Sequence, residues 1–141
     1  MRGAASIFFL MCALLTFQPT WGTGSQEMVD QDYALALSSA NRFLCAWQAR
    51  NPEEGLGLVS ETLKSRKSTE ELRAYISGLS NPHHEAFEVG NGKRLSDKQV
   101  GFEVRLYEHY TGAEWRRPRP QSSRIVLVEE QPGDWRVDEL P

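Results

Sequence analysis

The sequence predicts an α+β fold in which three N-terminal helices pack on a curved antiparallel sheet. Two observations carry that prediction. Apolar residues recur at helical spacing through the first half of the chain and at alternate positions through the second. All the helical patterns precede the strand patterns, an order that sets helices against an antiparallel sheet instead of interleaving them with parallel strands. The chain has 141 residues, enough for one such domain and not for two.

The N-terminus reads apart from the rest. Arg2 precedes an almost uninterrupted apolar run over 4–17, and these 14 residues are too few for a membrane span but match a signal-peptide core. Gln18-Pro19-Thr20 ends the run. Thr20 and Gly22 are small residues at −3 and −1 of a cut after Gly22, and a cut after Gly24 is the alternative. The expected organisation is a signal peptide over 1–22, a flexible linker over 23–30 and a single domain over 31–141. Cys12 lies mid-run behind Phe9-Leu10-Met11, without the small residue a lipid-anchoring signal needs, so it leaves with the peptide. Cys45 then remains as a lone thiol with no disulfide partner, read as a small buried hydrophobe beside the first helix's apolar stripe. No Asn-x-Ser/Thr sequon is present. Together these features predict an exported bacterial protein, periplasmic or extracellular, with no membrane contact after cleavage.

The first helix is expected over 31–50. Tyr33, Leu37, Ala40, Leu44 and Trp47 form its stripe, widened by Ala36 and Phe43. Asn51-Pro52-Glu53-Glu54 restarts a second helix over 52–61, with Asn51 as cap, Pro52 at the first position and two acids at the positive end of the dipole. Ser68-Thr69-Glu70-Glu71 is a capping box opening a third helix, whose Leu72, Tyr75, Ile76 and Leu79 point to the core and which Gly78 and Asn81-Pro82 end. A strand over 84–89, a turn at Gly90-Asn91-Gly92 and a short return strand over 93–95 follow. Over 99–110 Val100, Phe102, Val104 and Leu106 alternate with Gly101, Glu103, Arg105 and Tyr107, a half-buried antiparallel strand. Residues 111–121 read as a loop. The strand over 122–130 carries Ile125-Val126-Leu127-Val128, apolar on both faces, as expected of a strand that is central or covered on both sides. Pro132-Gly133-Asp134 turns into a last strand over 135–140.

The stretch Ala40–x–x–Phe43-Leu44–x–Ala46-Trp47-Gln48-Ala49-Arg50-Asn51, the Asn-Pro-Glu restart and the terminal Gly133-Asp134-Trp135-Arg136-Val137-Asp138 together resemble the nuclear transport factor 2-like superfamily, including its SnoaL-like members, over residues 31–141. The resemblance implies a cone-shaped fold with the sheet wrapped on the first helix and a pocket at the wide end. It does not imply a function, because one fold hosts many. Ketosteroid isomerases of that superfamily pair an aspartate base with an oxyanion-stabilising tyrosine and acid. Asp97 and Asp134 fall in expected turns and Asp138 near the C-terminus, so that set has no counterpart here.

No complete catalytic or metal constellation stands in the sequence. His83-His84-Glu85 is read as a solvated junction between loop and strand, since adjacent strand residues point to opposite faces and do not chelate one ion. Glu108 and Tyr110 continue the core parity of the long strand toward its end. Glu108 is the candidate base, and Trp47, Tyr75, Glu108 and Tyr110 are the candidate ligand-binding residues. Trp115-Arg116-Arg117-Pro118-Arg119-Pro120 reads as a solvated basic loop. A net charge of −3 argues against nucleic acid as partner. No metal or cofactor is expected. The reading is of an exported domain that binds a small apolar molecule or a protein partner without catalysis, with homodimerisation through a mixed sheet face carrying Glu103, Arg105 and Tyr107. The alternative is an isomerase, cyclase or dehydratase using an acid–base pair that includes Glu108.

Overall fold

A computed structural model of the chain describes residues 30–108 and 120–141. The expected signal peptide, the linker before Asp30, Tyr110 and most of the basic loop fall outside the described residues. The elements run α1 (Gln31–Gln48), α2 (Pro52–Leu56), α3 (Glu61–Arg66), α4 (Thr69–Ile76), β1 (His84–Ser96), β2 (Gln99–Glu108), β3 (Gln121–Gln131) and β4 (Asp134–Glu139). The strands form one antiparallel sheet in the order β1-β2-β3-β4. The α+β class predicted from the periodicities is the class adopted. Among the described residues no helix is long and apolar enough to cross a membrane.

Helix α1 organises the core. Its face of Ala36, Ala40, Phe43, Leu44 and Trp47 is at most 3% exposed, and the helix touches all four strands. Phe102, Ile125, Leu127, Trp135 and Val137 meet it from the sheet within one hydrophobic cluster. Ala36 and Ala40 lack bulk, which lets the sheet approach the helix backbone. At the start of α1 the Asp30 carboxylate accepts the Tyr33 N–H at 3.2 Å and an Arg94 guanidinium at 2.6 Å, tying the helix to the end of β1. The Arg94 charge and that amide hold the Asp30 carboxyl below its ordinary range. At the other end, the Arg50 N–H donates to Trp47 O (3.1 Å) and the Asn51 N–H to Ala46 O (2.8 Å), a Schellman closure. The position that closure reserves for a left-handed residue is held by Arg50, at φ 54°, where glycine is usual.

Several local expectations are corrected. The helix expected over 52–61 is two helices, so the sheet carries four helices and not three. Leu58 to Ser60 leave helical geometry to run beside β4: Ser60 N donates to Val137 O and Val137 N to Leu58 O, each at 2.8 Å. Two main-chain bonds to a buried strand outweigh continuing a helix that already holds two glycines. Ser60 then caps α3, accepting the Leu63 N–H at 2.9 Å while its hydroxyl donates to Asp138 at 2.6 Å. The polar residues over 64–67 are exposed, with 64–66 forming the last part of α3. Leu79, expected inward, is 79% exposed, because Gly78 at φ +79° ends α4 and turns the chain outward.

The expected turn at Gly90-Asn91-Gly92 is instead an irregularity inside a single long strand, where pairing slips between Val89 and Gly92. A Cβ on Gly92 would stand 2.4 Å from the Phe102 ring and 2.6 Å from the Tyr33 ring. The glycine therefore serves close packing, not chain reversal, and its N–H donates to the Tyr33 hydroxyl at 3.2 Å. The actual hairpin turn is Asp97-Lys98, between the paired Ser96 and Gln99. The capping box at Ser68 forms as expected, with Ser68 and Glu71 exchanging both bonds. β3 lies between β2 and β4, the central position its apolar run suggests, with Ile125, Val126 and Leu127 buried and Val128 partly buried.

Candidate functional site

The end of α1, the link from α4 to β1 and the end of β2 converge on one cluster. Trp47 from α1 is 3% exposed and stacks on the His84 ring, centroids 4.0 Å apart with the planes at 29°. His84 begins β1 and is itself 3% exposed. It pairs across the ladder with Glu108, the last residue of β2. The half-buried Glu108 carboxylate accepts the Asn81 side-chain amide. Arg50 reaches over the link and donates to Pro82 O at 2.7 Å, and Gln48 donates to Glu85 O at 3.0 Å. Underneath, a Cβ on Gly78 would stand 2.8 Å from Cε1 of His84.

Neither ring nitrogen of His84 has a hydrogen-bond partner. Burial, and then the Arg50 charge, push its pKa below the ordinary histidine value. The main chain at Trp47 and Asn81 and the Glu108 carboxylate pull the other way and offset part of the shift. The imidazole is therefore held neutral beside a carboxylate and a guanidinium. Among the described residues no three His, Cys, Asp or Glu side chains converge to hold a metal ion.

Trp47 and Glu108, two of the residues expected to bind ligand, are thus brought together. The residue that joins them, His84, was expected to be solvated, and that expectation is corrected. His83 and Glu85 are exposed on either side of it, the alternation of a strand, and it is the Trp47 indole from a distant helix that covers the ring between them. Tyr75 stands elsewhere, in a groove with Leu63, Arg66, Lys67 and the C-terminal residues. Its hydroxyl donates to Pro141 O at 2.7 Å, and burial pushes its pKa up. Tyr75 acts as a latch for the end of the chain. Cys45, expected buried, is exposed, because it lies on the side of α1 turned from the sheet, in a shallow groove with Ala34, Leu37 and Arg42.

The outer face of the sheet carries a second polar array. Glu88, Glu103, Arg105, Arg124 and Glu139 line an open groove of about 920 Å³. Arg105 lies 3.7 Å from Glu88, and Arg124 lies 3.2 Å from Glu139. Tyr107 shares the face, its phenol held above its ordinary pKa by a hydrogen bond to Glu88. Leu95, 43% exposed, lies over Gly101 on the same side.

No protein-family model matches the chain. No curated protein matches it either. Among solved structures the chain is similar in fold to a SEC-C motif containing protein from Psychrobacter arcticus, with a TM-score of 0.50 at 12% identity over 71% of this chain. The chain spans 58% of that protein's length. These findings overturn the resemblance to the nuclear transport factor 2-like superfamily: the motifs quoted for it match no family model, and the solved fold found to be similar is described by another motif. The physical reason is that the quoted residues are generic. A Trp-bearing helix stripe, an Asn-Pro-Glu restart and a Gly-Asp turn serve any helix-then-meander chain.

Proposed function

We propose that the chain is an exported, non-catalytic binding domain that pairs with a second copy of itself across the outer face of its sheet. In this reading the sheet curls around α1 as a cone whose inner side is filled by the core, leaving the outer side as the working surface. One observation carries the reading. Glu103 and Arg105 are successive outward residues on the internal strand β2, exposed and opposite in charge. They stand about 6.8 Å apart along the strand. A two-fold axis crossing the strand between them sets each Glu103 against the partner's Arg105, the self-complementarity an isologous interface needs. Glu103 has no ion pair among the described residues, while Arg105 and Arg124 each have one. Leu95 supplies apolar contact beside them. A charged groove suits a protein surface better than a small apolar molecule.

Sedimentation equilibrium tests this. The wild-type protein is expected to be a dimer that weakens as salt is raised. Glu103→Arg and Arg105→Glu are each expected to give monomers, and the double charge swap to restore the dimer. A monomeric wild type, or single variants that sediment like it, would overturn the pairing. Export has its own test, intact mass of the protein recovered outside the cytoplasm. Loss of residues 1–22 or 1–24 is expected, and a product retaining residues 1–17 would end that part of the reading.

A further inference from the structure

We infer that His84 is the proton-sensitive bolt of a latch: its neutral ring, wedged between Trp47 and Gly78, fastens the link between α4 and β1 to the end of α1, and protonation releases that link. The geometry supplies both halves of the device. The ring is closed in from two sides, by the indole at 4.0 Å and by the Gly78 backbone, where a Cβ would stand only 2.8 Å from it. Side-chain bonds that also reach the link are Arg50 to Pro82 O, Gln48 to Glu85 O, and Asn81 to Glu108. The first of these comes from a residue held at φ 54°, the one non-glycine residue with positive φ among those described.

Protonation is disfavoured in this seat. An imidazolium has two N–H donors; neither ring nitrogen makes a hydrogen bond in the closed cluster, and the main chain at Trp47 and Asn81 offsets only part of the cost of charging the buried ring. The charged groups that face the ring are Arg50 from the end of α1, which repels a second cation, and Glu108 from β2, which attracts it but accepts from Asn81. The open link leaves His84 in water, where it takes a proton at about pH 6.5. The closed ring takes one only at lower pH. Between those two values the open form binds more protons than the closed one, so lowering the pH through 6.5 favours opening. The separation of the two values makes opening more favourable at pH 5.5 than at neutral pH by up to about tenfold, the limit for one group, in a range where most carboxylates stay ionised. Opening uncovers the Trp47 indole beside Glu108.

Amide hydrogen exchange of the whole exported chain reads this out. After correction for intrinsic rates, amides over 77–85 are expected to lose protection between pH 7.5 and pH 5.5, by up to about tenfold, while those of β3 keep theirs. His84→Phe retains a ring against Trp47 and has no proton to take, so its link is expected to stay protected at both values. An unchanged wild-type link, or an equal loss in His84→Phe, overturns the inference. If that variant does not fold, an NMR titration of the wild-type imidazole decides alone. A His84 midpoint clearly below that of a histidine in a short peptide is expected, and coincident midpoints overturn the latch.

Discussion

Phe102→Ala is expected to destabilise the domain by about 3–5 kcal/mol, measured as the shift in urea unfolding free energy. Phe102 is 0% exposed on β2 and meets the Tyr33 ring of α1 edge-on, centroids 5.3 Å apart. The opposite strand is moulded around it, since Gly92 leaves no room for a side chain between the two rings. Truncation therefore removes the aromatic pair, the buried area and the reason for the irregularity in β1 at once. The surroundings are strand backbone and close-packed side chains, which collapse poorly into a cavity, so the cost belongs at the upper end of the large-to-small range. Domains of this size are commonly stable by only about 5–15 kcal/mol, so the variant should lie close to unfolding at 37 °C. Lys93→Ala, at an exposed neighbour of Gly92, is the control and should change stability by less than about 0.5 kcal/mol. A Phe102→Ala cost below about 1 kcal/mol would mean that the sheet does not rest on α1 through this ring.

What could be read from the sequence was whatever local periodicity decides. The stripe of α1, the capping box of α4 and the alternation along β2 all form, because each is written in residues that contact one another within a turn or across a strand face. Most of the misreadings share a different cause. Gly90-Asn91-Gly92 carries the composition of a hairpin turn, yet its last glycine answers to Phe102 and Tyr33. Ser60 leaves helical chain because Val137 offers it a strand partner. Cys45 sits among apolar neighbours in sequence but on the opposite side of the helix. His84 has exposed neighbours, and its burial is decided by Trp47. For Gly92, Ser60 and His84 the deciding atom lies far away along the chain, where spacing does not reach, whereas the helical period itself places Cys45 off the stripe. The candidate site was therefore half legible: its two flanks, Trp47 and Glu108, were visible by helix face and strand parity, and the residue between them was not.

Gly78→Ala is expected to cost about 2–5 kcal/mol, and its coupling to His84 separates two physical causes. The first is backbone strain. Gly78 has φ +79°, and a Cβ in that region costs about 1–2 kcal/mol wherever it occurs. The second is overpacking, about 1–3 kcal/mol, because the new methyl would stand 2.8 Å from Cε1 of His84, with Arg50 Nε and Asn81 O each at 3.4 Å. Strain is indifferent to what lies opposite, whereas overpacking vanishes when the ring is removed. Gly78→Ala in a His84→Ala background should therefore cost only the strain, leaving a coupling of about 1–3 kcal/mol in the double-mutant cycle of unfolding free energies. Additive costs would mean that the imidazole is not pressed against Gly78. The ring would then have room to turn a nitrogen toward an acceptor or water, and a proton could be taken up without opening the link. The same cycle therefore measures a packing energy and asks whether His84 has anywhere to go when it is charged.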